Sequence, residues 1–439
     1  MTAPTNTQVP VTAYMVIDGK HLPIWEFTVT MGAYGTVGTF SATTDIEALN
    51  TAKIDLYVES LATKKPFLPV QIYVSDQYGN TDYLLFGGEY DRSEWEMLED
   101  TVTLTGRDWA GILVDTKVTL QDQSMYFNTQ ASNSVPTLNL GSLDFTINNL
   151  TIYQFYEKVA SIFGFTLDIN QAELWPKPLG VQVQEYHVFS GSPKPLWDIM
   201  VFLARIGGVS EPLEVFITPD KVIHLQPIST TQTLNVSWKL PSSQISKGTF
   251  PLMNLTITHE PRRNATFAVV VLSYHYAAVH SQWAGIMYAN TENFNKNQAN
   301  YQKYDVGGPG WTVGQGPWAS GNLMNDLGKP VYVFREKQGM NKSTAYQQAF
   351  AMVADLAKRE IIIEGTIDGY APLLPMTKIT LTGKSLMGFE GRTYYANTVE
   401  HHFSLPDEMG DNDSGFTTHF KAWTLPLAQT NAGLSATQA

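Results

Sequence analysis

Short β-branched and aromatic segments, broken by clusters of Gly, Asn and Asp, are what most restrict the folds open to this chain. They recur as Ala13–Ile17, turning at Asp18 and Gly19, then Trp25–Met31, Lys53–Val58, Val70–Val74, Tyr83–Leu85 and Thr101–Thr105. Side chains branched at Cβ fit a pleated, half-buried surface, and the intervening residues tolerate the dihedrals of tight turns. The pattern predicts a small β-barrel or sandwich. Strand signals resume at Leu255–Thr258 and Thr266–Tyr276, and then at Val331–Phe334, Ile361–Ile367, Lys378–Thr382, Tyr394–His401 and Thr417–Thr424. These predict a second β domain.

Between the two the period changes. Asp108 precedes Trp109, Ala110 and Gly111, where its carboxylate can cap the free amides of a helical turn. After Thr151, the residues Ile152, Phe155, Tyr156, Val159, Ile162 and Phe163 recur on one helical face and Gly164 stops the run. A second helix starts at Pro195, carries Leu196, Ile199, Met200, Leu203 and Ile206, and ends at Gly207 and Gly208. Leu213–Ile217 and Val222–Gln226 then read as a hairpin. The fold class is therefore α+β and mainly β. Its expected parts are a first β domain over 1–115, an inserted α+β region over 116–245, and a second β domain over 246–426. Within the last, His280 to Lys329 shows no pattern and reads as a long loop, and Ser343 to Arg359 reads as a helix. The tail, 427–439, is small and polar and is expected to be disordered.

A length of 439 residues suits two to four domains, each with enough apolar residues for its own core. The absence of cysteine removes disulfides, thiolate metal sites and cysteine nucleophiles, and fits assembly in a reducing cytoplasm. Met1 to Thr12 has neither the basic residue nor the apolar run of a secretory signal. The longest apolar run, Phe267 to Leu272, is far short of the roughly 20 residues that cross a bilayer, so no membrane partner is expected. A formal charge of -13 argues against tight binding to a phosphate backbone, which needs clustered Lys and Arg.

Each hint of site chemistry is incomplete. Gly383, Lys384 and Ser385 resemble the end of a phosphate loop, but Lys378 occupies the position of its first glycine. His259 and Glu260 are followed by Arg263 where a zinc helix needs histidine, and alternation from Leu255 favours a strand. Asp411, Asn412, Asp413, Ser414 and Gly415 open like a calcium loop, yet Ala422 stands where the closing Glu belongs. His401 and His402 point to opposite faces of a strand, so at most one of them joins His419 at a metal. No serine sits in a nucleophile elbow. No catalytic, cofactor or metal residue is assigned.

Thr103, Leu104, Thr105, Gly106, Arg107 and Asp108, closing on Leu113, Val114 and Asp115, resemble the hallmark segment of late-control-D-like baseplate hub proteins of contractile-tailed phages, Mu-like ones included. The helix, hairpin and terminal strands that follow are similar in order, and the likeness runs from Ala13 to Pro426. Pro375–Met376 departs from the usual Pro-Gly, and the stretch from His280 to Lys329 has no counterpart in the family. The resemblance implies two tail-tube-like β-barrel domains per chain and a homotrimer whose pseudo-sixfold ring matches a hexameric tube. Implied partners are the tail tube or its initiator ring, a trimeric spike, baseplate wedge and tape-measure proteins, and DNA in transit. The spike is expected as a separate chain, since nothing after Thr424 is long enough to form it. The implied location is the virion baseplate, assembled in the host cytoplasm. Gly106, Arg107, Asp108, Leu113, Val114 and Asp115 would then be structural: a tight bend, an ion pair or carbonyl clasp, a cap and a turn. Two rival readings are a tail-associated cell-wall hydrolase and a glycan- or receptor-binding tail module using Trp283, Trp311 and Trp318.

Overall fold

The computed structural model describes residues 11–33, 35–54, 56, 68–121, 137–140, 143–146, 151–174, 194–208, 213–227, 232–241, 246, 248–260, 268–274, 282–289, 301–305, 331–335, 361–390, 392–405 and 415–424. The first strands are β1 (Thr12–Ile17), β2 (Lys20–Pro23), β3 (Glu26–Gly32) and β4 (Thr39–Asp45). Helix α1 (Ile46–Thr51) comes next, then β5 (Leu68–Ser75), β6 (Tyr83–Glu96) and β7 (Thr101–Asp108). Every second residue turns inward: Val70, Ile72 and Val74 on β5 and Val102 and Leu104 on β7 are buried, as the two-residue period of a pleated strand requires. Asp18 (φ 47°) and Gly19 (φ 78°) make the two-residue turn between β1 and β2, where positive φ at both positions matches the twist of the strands. The spatial order is β3-β4-β7-β6-β5-β1-β2, antiparallel throughout. Lys53 and Ile54 follow α1 in a turn and do not open a strand as the sequence predicts; donation by the Ala52 and Ile54 amides to the Ala48 and Leu49 carbonyls closes the helix there.

Next come α2 (Ala110–Asp115), β8 (Lys117–Gln121), β9 (Thr137–Leu140), β10 (Leu143–Thr146), α3 (Ile152–Phe163), β11 (Thr166–Ile169), β12 (Lys194–Pro195), α4 (Leu196–Gly207), β13 (Leu213–Ile217) and β14 (Val222–Pro227). Thr151 and Gln154 cap α3 reciprocally, and Gly164 ends it in the left-handed region. Phe155, Tyr156 and Val159 of α3, Leu196, Met200 and Leu203 of α4, and Val215 and Leu225 of the hairpin share one core with Trp109 and Leu113. Tyr156 donates to the Met200 carbonyl at 2.5 Å, so this large side chain is buried with its hydroxyl satisfied.

The last part holds β15 (Thr233–Trp238), β16 (Thr249–Pro251), β17 (Asn254–His259), β18 (Ala268–Tyr274), β19 (Gln282–Ala289), β20 (Tyr301–Asp305) and β21 (Val331–Arg335). After these come β22 (Ile361–Asp368), β23 (Lys378–Gly383), β24 (Thr393–Ser404) and β25 (Gly415–Thr424). β15 lies in the stretch read as the inserted region, yet it pairs with β23 and so belongs with the later strands. β19 and β20 lie where the sequence reads as a patternless loop. They form a four-stranded sheet of order β20-β19-β18-β21, because backbone pairing needs no apolar alternation that a sequence scan can detect. The predicted helix from Ser343 to Arg359, the loop from Asp411 to Ser414 and the tail lie outside the described residues.

The later strands run in the order β17-β22-β25-β24-β23-β15-β16, position for position the order of the first set, although β15 runs parallel to its neighbours where β1 is antiparallel. Both sets bend one strand between two partners. Trp25 donates to Thr43 just after β2 leaves β1, and Leu252 and Met253 donate to Ser237 and Thr366 in turn. β24 also pairs with β3, from Thr398↔Gly32 to Ser404↔Glu26, which makes one 14-stranded sheet of the two sets. A single apolar core passes through both.

Asp76 pins the sets together a second time. Its carboxylate is fully buried and accepts from the amides of Tyr78 (2.9 Å), Asn80 (3.1 Å) and Ala371 (3.1 Å) and from Asn80 Nδ2 (2.7 Å). Asp76→Ala strands those donors, and we expect a loss of roughly 3 kcal/mol in chemical denaturation. A loss within error of zero would show that the Ala371 bond carries no load.

Candidate functional site: the Arg107 clasp

The hallmark segment lies at the end of β7, where Gly106, Arg107 and Asp108 face Tyr90, Glu89 and Gly88 of β6. Gly106 lies within the strand and does not form the bend the sequence suggests. A Cβ there would meet the Glu89 carbonyl oxygen at 1.9 Å, so close backbone approach demands glycine. The register of β6 slips between Tyr90 and Arg92, and this bulge leaves Asp91 unpaired in the ladder and free to turn its carboxylate toward Arg107. Arg107 then grips two carboxylates. Its Nε and Nη2 reach Asp91 at 2.6 and 2.9 Å, and its Nη1 and Nη2 reach Asp115 at 3.1 and 2.8 Å. The planar guanidinium is the side chain that can hold two such forks at once.

These bonds hold the guanidinium charged, its pKa driven further up chiefly by the hydrogen bonds to Asp91 and then Asp115. The same contact with Arg107 lowers the Asp115 pKa. The three side chains keep 29%, 30% and 44% of their surface, so their worth lies more in fixing geometry than in net stability. Asp115 is the last residue of α2, and the clasp therefore locks that helix to the sheet. Leu113 is fully buried in the helical core and Val114 packs against it.

Asp108 does more than cap a turn. One carboxylate oxygen accepts from Ala110 N at 2.9 Å and the other from Gly38 N at 2.6 Å, while its own amide donates to the Gly38 carbonyl at 2.9 Å. The residue keeps part of its surface, but its carboxyl is enclosed, and desolvation pushes the pKa up to about 7 against the two amide donors. Glu89, buried beside Asp91, is likewise raised to about 7, first by desolvation and then by the neighbouring negative charge. Trp109 donates to the Pro219 carbonyl at 2.9 Å and lies under the Lys221 ammonium, 4.0 Å from the ring centre. The segment is thus a junction among β6, β7, α2 and the β13–β14 hairpin. Its acidic half, Asp91 and Glu89, and the Gly38 backbone are invisible in sequence. The slip in register turns Asp91 to Arg107, Glu89 stands opposite Arg107 in the β6–β7 ladder, and the pairing of β4 with β7 brings Gly38 to Asp108.

A second polar line lies nearby. Asp168 contacts His224 Nδ1 at 2.9 Å, and His224 Nε2 is 3.0 Å from Thr218 Oγ1. His224 also stacks on Phe216, and desolvation lowers its pKa despite Asp168. The line borders a cavity of about 340 Å³ edged by Tyr83, Leu84, Pro219, Asp220 and Leu374. A carboxylate–imidazole–hydroxyl sequence can activate a nucleophile. Here the hydroxyl also lies 3.3 Å from the Val222 carbonyl it serves in the turn, and Asp220 on the same rim would repel an oxyanion. The geometry favours a clamp on the hairpin.

The histidines considered as metal ligands separate. His401 is buried between Thr418 Oγ1 (3.0 Å) and the Leu373 carbonyl (3.2 Å), and desolvation lowers its pKa to about 4. His402 contacts Thr28 Oγ1 at 3.1 Å, and His419 stands opposite Glu400. Among the described residues no three ligating side chains gather around a metal position. Gly383 ends β23 beside the Trp238 carbonyl, and Ser385 (φ 60°) turns the chain there. His259 ends a strand. Trp283 lies on β19, and Trp311 and Trp318 lie outside the described residues.

The fold is similar to that of two solved tail proteins. The chain is similar to the tail protein from Neisseria meningitidis MC58 at 12% identity, covering 95% of this chain and 97% of that one with a TM-score of 0.56. It is also similar to the 43 kDa tail protein of prophage MuSo2 from Shewanella oneidensis, at 12% identity over 95% of this chain and 99% of that one, with a TM-score of 0.53. No protein family and no curated protein matches the sequence. No helix among the described residues is long and apolar enough to cross a membrane.

The buried Glu89 carboxyl stabilises the fold in its neutral form. Its folded pKa of about 7 exceeds the ordinary 4.5, so its contribution to stability is intact below pH 4.5 and is lost as pH rises through about 7. Glu89→Gln mimics the protonated form. Its melting temperature relative to the parent should therefore rise between about pH 5 and about pH 8; a difference that stays flat with pH contradicts the desolvated carboxyl.

Proposed function

We propose that this chain is a structural hub subunit in the baseplate of a contractile phage tail, of the late-control-D-like kind, and not an enzyme. One observation carries the reading: a single strand order occurs twice in one chain and the two sets merge into one sheet through β24 and β3. A chain with two quasi-equivalent β units can present sixfold symmetry with three copies, which is what an adaptor between a hexameric tube and a trimeric spike needs. On this reading the two sets are tail-tube-like barrels over 1–115 and 246–426, with β15 joined to the second. The Arg107 clasp fixes α2 to the first set, and α2 shares its core with the helices of the inserted α+β region. Gly106, Arg107, Asp108, Leu113, Val114 and Asp115 act as a joint that transmits load, with no substrate to bind.

The partners are then two further copies of this chain, the tube or its initiator ring, the spike, and wedge and tape-measure proteins, in a virion assembled in the host cytoplasm. DNA passes through without being held. The charge of -13 suits this, because a negative wall repels phosphates and lets the duplex slide.

Mass photometry and negative-stain microscopy of the purified chain test the reading. The expected outcome is a particle of three chains, seen end-on as a ring with six lobes. A particle of any other closed symmetry contradicts it, and so does lysis of peptidoglycan in a zymogram, which would favour the hydrolase.

A further inference from the structure

The cavity of about 340 Å³ beside His224 opens where all three parts of the chain meet. Tyr83 and Leu84 reach it from β6 of the first strand set, and Leu374 from the stretch between β22 and β23 of the second. The β13–β14 hairpin contributes its turn and His224. The volume falls within the range of small-molecule clefts, roughly 300–1,000 Å³. Leu84, Pro219, Val222 and Leu374 make its walls apolar, while Asp220, exposed in the turn, stands on the rim. Asp168, on the far side of the His224 ring, keeps 70% of its side-chain surface, so this edge meets water.

The polar lining is short of hydrogens and rich in negative charge. A carboxylate only accepts, so His224 Nδ1, 2.9 Å from Asp168, carries the ring hydrogen and Nε2 is left as an acceptor. Desolvation lowers the pKa of the ring despite Asp168, which keeps it in that neutral form at neutral pH. The Thr218 hydroxyl then has one hydrogen for two acceptors, His224 Nε2 at 3.0 Å and the Val222 carbonyl at 3.3 Å. The Asp220 carboxylate adds further lone pairs, and its charge acts on His224 on one side and on Tyr83 on the other. Tyr83 is held protonated, first by desolvation and then by Tyr370, Asp220 and Asp76. Among the described residues that line the cavity, none is a lysine or an arginine. Lys221, next to Asp220, sets its ammonium on the Trp109 ring instead, 4.0 Å from the centre.

We infer that this cavity binds an organic cation, an ammonium or guanidinium on an aliphatic stem. The stem lies against Leu84, Val222 and Leu374, and the head donates to Asp220 and to the acceptor left short in the Thr218–His224 line. Several hydrogens on one charged head supply what the lining lacks, and bonds to an ionised partner are the strong ones. Asp220 repels an anion, and a neutral apolar guest leaves the acceptors unmet. Since the walls come from both strand sets and the inserted hairpin, an occupant ties the three together and stabilises the folded chain by mass action. Two sources offer this chemistry, a free amine and a lysine or arginine side chain of a docked protein. The site lies within one chain and does not depend on how many copies assemble.

Isothermal titration calorimetry of the full-length protein with n-butylguanidinium tests the site, with n-butylurea as the uncharged compound of the same shape. Butylguanidinium should bind saturably, once per chain, and raise the melting temperature; butylurea should do neither. Asp220→Asn keeps the shape of the rim and removes its charge, so it should weaken binding about tenfold or more. Leu374→Trp should abolish binding by filling the cavity. Asp220 lies in an exposed turn, so D220N should melt like the parent without ligand and stays readable even if L374W fails to fold. A short glycine peptide with a central arginine, set against the same peptide with citrulline, separates the two sources. Binding of the arginine peptide alone assigns the site to a partner's side chain, and binding of butylguanidinium without the peptide assigns it to a free cation. Absence of saturable binding at millimolar butylguanidinium overturns the proposal. Equal binding of butylurea, or an affinity unchanged in D220N, overturns it as well.

Discussion

The pairing of β24 with β3 is the interaction on which the rest of the molecule depends. It links residues more than three hundred positions apart, a span whose closure entropy must be offset by what forms at the seam. The seam is well provided. Phe27 and Phe403 stack at 5.5 Å, Val29 faces the buried His401, and Thr28 and Thr30 bond the ring of His402 and the carboxylate of Glu400. Apolar residues look inward and polar pairs lie on the other face, so the joint is part of the core and of the surface at once. Without it the two strand sets would be separate sheets, each ending in an open edge.

Other contacts set the angle at which the parts meet. Asp76 ties the β5–β6 turn to Ala371, beside the T-shaped contact of Tyr78 with Tyr370. The Arg107 clasp and Asp108 hold α2 against β6 and β7, and Trp197 donates to the Gly35 carbonyl at 2.8 Å, bringing α4 to the same region. These contacts are short, directional and charged or aromatic. Each rules out wrong orientations more than it adds stability, a property suited to a part that passes load between neighbours.

Much of the architecture was legible because it is local. The turn at Asp18–Gly19, the cap at Thr151, the stop at Gly164 and the alternation of Val70, Ile72 and Val74 need only neighbours in sequence to act. The readings that failed share a cause. Lys53 reads as the start of a strand, but a short helix before it closes the turn with backbone bonds. β19 and β20 lack apolar alternation; β19 gains its pairing from β18, and β20 from β19. The resemblance implies a bend at Gly106, whereas its reason for being glycine is the Glu89 carbonyl on another strand. Of the clasp, Arg107 and Asp115 stand in the recognisable segment, but Asp91 and Gly38 do not.

By itself, then, the sequence determined which stretches extend and which coil, that the fold is mainly β, and that no thiol chemistry operates, since these follow from side-chain shape and residue type. Only the tertiary structure decided that the same strand order occurs twice, that β15 belongs to the second set, and that β24 closes against β3. The reason is that sheet order and register are set by pairings between distant strands. A one-residue slip, such as the bulge after Tyr90, exchanges the residues that face the core for those that face solvent. No local pattern records that choice.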